Sequence, residues 1–164
     1  MDGAIRIIIT GGTFDKDYDP LSGKMSFRDT HLPDILKDVH LTVPVELEIN
    51  KLVDSLEMSE EQRAGVVSAC ERANEQRIIV THGTDTMTRT ALRLHELRLE
   101  KTIVLTGAMV PYSVSGSDAL FNLGAAVTAV QLLEAGVYVV MNGRIFPADK
   151  VRKDTARGMF EATI

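Results

Sequence analysis

Two short runs of β-branched residues, each followed by a Gly-Thr turn, constrain the fold of this chain more than any other feature. The first run, Ile-Ile-Ile at residues 7–9, leads into Thr-Gly-Gly-Thr at 10–13, and the second, Ile-Ile-Val at 78–80, leads into Thr-His-Gly-Thr at 81–84. Such runs beside glycine are typical of strands buried on both faces of a parallel sheet. Residues just beyond such strands line the ligand crevice of an open α/β sheet. The sequence therefore predicts that Thr13 and Thr84 lie in a crevice.

Each Gly-Thr turn also has a purely structural interpretation. Glycine permits a positive φ and threonine caps helices, so either segment alone favours an ordinary turn over catalysis. Asp85, which follows Thr84, would in that case only support a helix N-terminus. Threonine hydroxyls are weak nucleophiles that need a base and an oxyanion site. Two of them at strand ends, with a lysine available, favour a catalytic site.

Strand-like and helical patterns alternate along the chain. The strand-like runs are residues 4–10, 43–49, 77–80, 102–105 and 137–141, and the helical patterns are 59–75, 86–97 and 118–136. Ser59 is expected to cap the first helix and Gly136 to end the third. This alternation predicts βαβ units with right-handed crossovers. We expect one α/β domain over residues 1–164, with three layers and a doubly wound, mostly parallel sheet.

Two segments look irregular. Residues 14–30 are polar and hold four aspartates, and residues 110–116 lead into the third helix. A long loop in a compact domain is usually functional or mobile, so we expect residues 14–30 to form a mobile active-site loop. Neither segment carries a GxGxxG or GxxxxGK[ST] pattern, which argues against the two familiar nucleotide sites.

Charge and composition exclude several classes of function. The net charge of −5 argues against nucleic acid as the main partner, because phosphate binding needs a concentrated basic face. A short basic cluster could still serve an anionic substrate; it comprises Lys150, Arg152, Lys153 and Arg157. The four histidines are scattered without ligand spacing, so no metal site is expected.

The chain has the marks of a cytoplasmic protein without a membrane segment. It contains no apolar run of 18 residues and no basic segment before the first apolar stretch. Cys70 is the single cysteine, which suits a reducing compartment, and its helical pattern favours buried packing.

Five short motifs occur in a fixed order. They are TGGT at residues 10–13, THGTDTM at 81–87, TGAM at 106–109, FNL at 121–123 and VMN at 140–142. The chain thereby resembles the bacterial-type L-asparaginases over residues 7–153, and the THGTDTM segment is highly specific. The resemblance implies hydrolysis of L-asparagine to L-aspartate and ammonia through a threonyl acyl-enzyme, without a metal or other cofactor.

The resemblance assigns the catalytic roles residue by residue. Thr13 matches the family's first threonine, which attacks the side-chain amide of the substrate. Thr84 matches the second threonine, which forms a triad with Asp85 and a lysine. Counting from the Met-Asn pair at 141–142 places that lysine at Lys153. Tyr18 would polarise Thr13 from the N-terminal loop.

The resemblance also assigns substrate-binding roles. Ser55 matches the serine that holds the α-carboxylate, and Asp85 would bind the α-ammonium. Gly12 and Gly83 flank the two threonines, and backbone N–H groups at residues 83–85 are candidate oxyanion donors. Without the resemblance, Ser55 would be interpreted as a helix-entry residue. Lys153 would then be a solvated charge and Tyr18 a surface aromatic.

Family members usually have a second, C-terminal domain, so the resemblance implies a short-chain form without it. We expect a homo-oligomer, at least a dimer, because without the second domain the site would be open to solvent unless another subunit covers it. Two other functions stay open. One is an amidotransferase-type amidase subunit that uses glutamine, and the other is an amino-acid-binding regulatory module with little or no turnover.

Overall fold

The computed structural model describes residues 3–164, so the first two residues of the expected domain lie outside it. Ten strands and four helices follow one another in these residues. The strands are β1 (Ile5–Gly11), β2 (Asp17–Asp19), β3 (Lys24–Ser26), β4 (Val45–Val53), β5 (Arg77–Thr81), β6 (Thr102–Thr106), β7 (Gly136–Met141), β8 (Arg144–Pro147), β9 (Val151–Asp154) and β10 (Met159–Ala162). The helices are α1 (Leu32–Asp38), α2 (Glu60–Arg72), α3 (Met87–Glu96) and α4 (Ala119–Leu132).

The main sheet has six strands in the order β4-β1-β5-β6-β7-β8. Its first five strands are parallel, and β8 alone runs antiparallel, against β7. β1 pairs with β4 on one side and with β5 on the other, so the chain winds outward from β1 in both directions. The doubly wound, mostly parallel fold is thus confirmed. The reversal of strand order places a ligand crevice beyond the carboxyl ends of β1 and β5.

The triple isoleucine of β1 is buried on both faces of the sheet, as its sequence predicts. Ile8 packs with residues of α2 and α3, whereas Ile7 and Ile9 pack with residues of α1 and α4. All three side chains are fully buried. The sheet is therefore the middle of three layers, because alternate residues of a strand point to opposite faces.

One crossover has the opposite hand to the others, which contradicts the expectation of uniformly right-handed connections. β5 to β6 and β6 to β7 are steps in the same direction, yet α3 covers one face of the sheet and α4 the other. The crossovers through α1 and α2 share the hand of the one through α3. Since nearly all such connections are right-handed, the crossover through α4 is the left-handed one.

The side chain of Asp118 stabilises the turn between β6 and α4, where the chain crosses to the face covered by α4. The carboxylate of Asp118 accepts the N–H groups of Met109 and Val110, just after β6, at 3.0 Å each. It also accepts from the side-chain amides of Asn122 and Asn142. The turn and the start of α4 are therefore fixed together.

Most predicted elements occur, with differences at their ends. Ser59 caps α2 through a capping box with Gln62, as expected, although α2 ends at Arg72 rather than at residue 75. The assignment of Gly136 as a helix C-cap was wrong, because α4 ends at Leu132 and Gly136 begins β7. Cys70 is buried and reduced, and burial raises the pKa of its thiol to about 12. No helix within residues 3–164 has both the length and the apolarity to cross a membrane.

Candidate active site

The turns after β1 and β5 are pressed together through two glycines. A Cβ added at Gly12 would lie 2.4 Å from the backbone nitrogen of Gly83, and Gly12 has a φ of 70°. A Cβ added at Gly83 would lie 2.6 Å from the Oγ atom of Ser55. Side chains at either glycine would separate these segments. Their absence brings Thr13, which follows Gly12, and Thr84, which follows Gly83, to the same place as Ser55.

Lys153 joins Thr84 and Asp85 in one hydrogen-bonded group. Its Nζ atom donates to Thr84 Oγ1 and to Asp85 Oδ1, each at 2.7 Å. The Thr84 residue is only 6% exposed and the Lys153 side chain 12% exposed, whereas Asp85 is open to solvent. The three residues predicted to form a triad therefore are in contact. The carboxylate orients the amine toward a largely buried hydroxyl.

Thr13 begins a 3₁₀ turn, Thr13–Asp15, that is tied to its surroundings. The N–H of Tyr112 donates to the carbonyl of Phe14, and the hydroxyl of Ser113 donates to the carbonyl of Lys16. The Lys16 amine lies 2.5 Å from the carboxylate of Asp54, next to Ser55. The start of the predicted mobile loop is thus held by residues 110–116 and by the segment after β4.

Asp15 is fully buried two residues after Thr13. Burial raises the pKa of its carboxyl group, although one oxygen accepts hydrogen bonds from the Thr30 hydroxyl and the His31 N–H. The other oxygen, Oδ2, has no hydrogen-bond partner among residues 3–164. Asp15 therefore anchors residues 30 and 31 beneath the 3₁₀ turn.

The structure does not link Tyr18 by a hydrogen bond to the other predicted residues. Tyr18 lies opposite Met25 in the β2–β3 hairpin and is 61% exposed. Within residues 3–164, no hydrogen bond links its hydroxyl to Thr13, Thr84 or Lys153. Residues 14–30 are therefore not irregular throughout, because they contain the β2–β3 hairpin and the buried side chain of Asp15.

Ser55 lies inside the site, buried beside Gly83. Its Oγ atom accepts the backbone N–H of Thr86 at 3.2 Å, and its carbonyl accepts the Thr86 hydroxyl at 2.9 Å. The hydroxyl proton of Ser55 remains available to a ligand, because Oγ acts only as an acceptor in these contacts. This position suits the carboxylate contact predicted for Ser55.

The basic cluster near residue 150 does not act as a unit. Arg152 and Arg157 both form ion pairs with Glu161 on β10, on the surface. Lys153 instead points to Thr84, because alternate residues of β9 face opposite sides. No group of three or more His, Cys, Asp or Glu side chains in residues 3–164 is arranged to hold a metal ion.

A buried polar network beneath the Gly83–Thr84 turn escaped the sequence analysis. His82 is fully buried, and its ring nitrogens contact the carbonyl of Gly83 and the hydroxyl of Thr90, each at 2.8 Å. Burial, with a smaller effect of the Arg63 charge, lowers the pKa of His82 to about 4. Arg63 is 1% exposed and donates to Thr90 Oγ1 at 2.6 Å.

The sequence did carry one signal for this network. Arg63 shares a face of α2 with three buried apolar residues, Val66, Val67 and Cys70, at spacings of three, four and seven. A charged residue at a core position of an amphipathic helix indicates a buried polar partner.

Comparisons with known proteins show the family of this chain. A model of the family described as "Asparaginase, N-terminal" matches residues 4–162. A glutaminase-asparaginase of Acinetobacter glutaminasificans is 42% identical over 80 residues, which are 46% of this chain and 24% of that protein. A glutamyl-tRNA(Gln) amidotransferase subunit of Methanococcus vannielii is 45% identical over 69 residues, 42% of this chain and 16% of that protein.

The fold has close counterparts among solved structures. The thermostable L-asparaginase of Thermococcus kodakarensis superposes with a TM-score of 0.83 at 26% sequence identity. The superposition covers 97% of this chain and 51% of that protein. The chain thus spans about half the length of the solved relative, and matched segments cover about a quarter or less of the curated relatives above.

Proposed function

This chain belongs to the asparaginase family, and we propose that it hydrolyses L-asparagine to L-aspartate and ammonia through a threonyl acyl-enzyme. The observation that carries the proposal is the contact of Lys153 Nζ with both Thr84 and Asp85 at 2.7 Å. An amine held against a hydroxyl by a carboxylate is a proton relay for a threonine that cannot ionise unaided at neutral pH.

The residues of this group then have defined roles in the reaction. Thr13 Oγ1 attacks the amide carbon, and its proton passes to Thr84 Oγ1 while the Thr84 proton passes to the lone pair of Lys153 Nζ, an amine that the reaction requires in its unprotonated form. Lys153 then gives this proton to the leaving nitrogen, which departs as ammonia. Water then cleaves the ester, releasing L-aspartate and restoring the Thr13 hydroxyl. The contact of Gly12 with Gly83 supports this scheme, because it holds the two threonine turns together.

The remaining predicted residues bind the substrate. Ser55 has a hydroxyl proton available for the α-carboxylate, and Asp85 is exposed enough to meet the α-ammonium. Tyr18 would reach Thr13 only when the β2–β3 hairpin closes over a bound substrate, which would also exclude water. The relay and the binding groups named above all belong to this chain, and the proposed reaction uses no metal or other cofactor.

The decisive experiment measures ammonia release from L-asparagine and L-glutamine by the purified protein and its variants. Thr13→Ala and Thr84→Ala are expected to lose activity. Thr42→Ala, in the exposed segment before β4 and at the end of the sheet opposite the crevice, is the matched control and is expected to keep it. Absence of release from either substrate by the folded wild type would refute the amidohydrolase and favour an amino-acid-binding module.

A second candidate follows from the relative named as an amidotransferase subunit. An amidase subunit of that kind would release ammonia from glutamine rather than from asparagine, so the same assay separates the two. The net charge of −5 disfavours a direct RNA contact.

We further expect a homo-oligomer of at least two subunits in the cytoplasm. The outer face of α4 supports this, because Phe121 and Leu132 are exposed on a helix without a charged residue. Light scattering across a range of concentrations tests the oligomer, and cell fractionation tests the location. A single monomeric mass at every concentration would contradict the first expectation.

A further inference from the structure

A chain of hydrogen bonds runs from the core of the protein to the turn that carries Thr84. Arg63 on α2 donates to the Thr90 hydroxyl on α3, which contacts His82 Nε2 at 2.8 Å. His82 Nδ1 in turn contacts the carbonyl of Gly83 at 2.8 Å. Arg63, Thr90 and His82 are all buried, so water does not compete for these groups.

The donors and acceptors in this chain follow from its two ends. A carbonyl only accepts, so His82 Nδ1 carries a proton and donates it to Gly83. In a neutral ring Nε2 is then unprotonated and accepts the proton of the Thr90 hydroxyl. Thr90 Oγ1 in turn accepts from Arg63, which only donates. A pKa lowered to about 4 keeps the ring neutral, as this pattern requires.

The last link fixes the orientation of the Gly83–Thr84 peptide. In a planar trans peptide the N–H points opposite to the C=O. Because the Gly83 carbonyl points at the buried imidazole, the Thr84 N–H points away from it, and no acceptor in residues 3–164 takes that N–H.

We propose that Arg63, Thr90 and His82 are positioning residues that lock this peptide so that the Thr84 N–H faces the crevice as an oxyanion donor. The inference rests on the proposed amide hydrolysis, whose tetrahedral intermediate carries that oxyanion. A donor held in place before the reaction stabilises the transition state without reorganisation. It also gives a reason for burying Arg63, whose Nη2 has no partner among residues 3–164.

The kinetic test removes one hydroxyl from the chain. Thr90→Val keeps the shape of the side chain but removes both hydrogen bonds of Thr90, so the imidazole that holds the Gly83 carbonyl is no longer fixed at Nε2. We expect kcat for L-asparagine to fall at least about tenfold with KM nearly unchanged, since complete loss of an oxyanion donor costs about 10²–10³. Thr90→Ser, which restores the hydroxyl, is expected to regain most of the lost kcat.

A second test reads the proton positions without any activity. The ¹⁵N chemical shifts of labelled histidine, with the His82 signals identified from their loss in His82→Gln, show which ring nitrogen carries the proton. We expect Nδ1 protonated and Nε2 unprotonated at pH 7 in the wild type. In Thr90→Val the Nε2 signal is expected to move. A protonated Nε2 in the wild type would overturn the inference.

Arg63→Met tests the other end of the chain. The substitution leaves the buried Thr86 and Thr90 oxygens without their donor, so we expect a lower Tm. Measured well below that Tm, kcat should still be lower than in the wild type. Hydrolysis with an unaltered kcat in both Thr90→Val and Arg63→Met would overturn this inference but would leave the proposed function standing. Absence of hydrolysis by the wild type would instead overturn the proposed function and, with it, the oxyanion role.

Discussion

Gly12 decides how closely the two threonine turns approach each other. Its φ of 70° is one that L side chains rarely adopt, and a Cβ would overlap the Gly83 backbone. Gly23 has nearly the same φ, 71°, but a Cβ there would meet nothing within 4 Å. The two positions therefore separate backbone strain from steric overlap.

We predict that Gly12→Ala abolishes ammonia release and destabilises the protein well beyond Gly23→Ala. Gly23→Ala should cost only the strain of a positive φ, about 1–2 kcal/mol. Urea unfolding and the asparagine assay measure both effects. An active Gly12→Ala variant, or equal destabilisation by the two substitutions, would contradict the close approach of the turns.

Lys153 offers a test of proton transfer separate from charge. Lys153→Arg keeps a cation that can pair with Asp85, but a guanidinium does not release its proton at any accessible pH. We predict that Lys153→Arg lowers kcat by about 10²–10⁴, the usual contribution of a general base. Arg152→Lys, on the opposite side of β9, is the control and should behave as the wild type. Near-normal kcat in Lys153→Arg would limit Lys153 to an electrostatic role.

Among the elements, α4 depends on Asp118 at its first turn. Burial alone would raise the pKa of this carboxyl group, but hydrogen bonds from the N–H groups of Val110 and Met109 and from Asn142 hold it below its usual value. The ionised form is therefore preferred in the folded protein. Its contribution to stability is present above about pH 4 and is lost as the pH falls through the lower, folded pKa.

Asp118→Asn should weaken the left-handed crossover. If its oxygen keeps the backbone N–H groups, its NH₂ faces the donor amides of Asn122 and Asn142. We predict a loss of about 1–3 kcal/mol in the free energy of unfolding at pH 7. The loss should shrink toward pH 3, where the wild type loses the same contribution. Asp38→Asn, on the surface of α1, is the control for urea unfolding at both pH values.

The elements also show what the sequence could predict. Runs such as Ile7 to Ile9 identified the parallel strands, because burial on both faces demands apolar β-branched residues. Short hairpins at the surface have no such pattern, and β2–β3 and β9–β10 were missed. The β7–β8 hairpin did have a signal. Asn142 and Gly143 both have positive φ, the turn that an Asn-Gly pair favours between antiparallel strands.

The candidate site was predictable to a similar extent. Thr13, Thr84 and Asp85 follow predicted strands, so topology alone placed them at one edge of the sheet. Lys153 came from the resemblance, because a lysine in a short surface strand has no distinguishing pattern. The Arg63–Thr90–His82 chain depends on the packing of α2 on α3, which periodicity does not specify.

The stability of the folded domain should depend on pH through His82. Its pKa falls from about 6.5 to about 4 on folding, chiefly through burial. Between these values the unfolded chain binds a proton that the folded protein does not, so stability decreases as the pH falls through this interval. A shift of this size lowers the free energy of unfolding by about 3 kcal/mol once the pH is below the folded pKa.

We predict that the free energy of unfolding of the wild type, measured in urea, falls by this amount between pH 7 and pH 4. In His82→Gln the free energy of unfolding should depend much less on pH. His95→Gln, which replaces a partly exposed histidine, controls for the loss of an imidazole. Identical slopes in the wild type and in His82→Gln would show that the buried ring does not govern acid sensitivity.

Lys153 reaches the site from β9, in a two-stranded hairpin outside the six-stranded sheet and 69 positions after Thr84. During synthesis, a ribosome therefore makes both threonines and Asp85 before it makes Lys153. Under the proposed mechanism, a nascent chain that ends before β9 would lack the base and would not hydrolyse amides. In the folded protein, detachment of the β9–β10 hairpin would remove Lys153 from the site and abolish the proposed hydrolysis while the six-stranded sheet stays folded. On heating, activity should then be lost at a lower temperature than the circular dichroism signal of the fold.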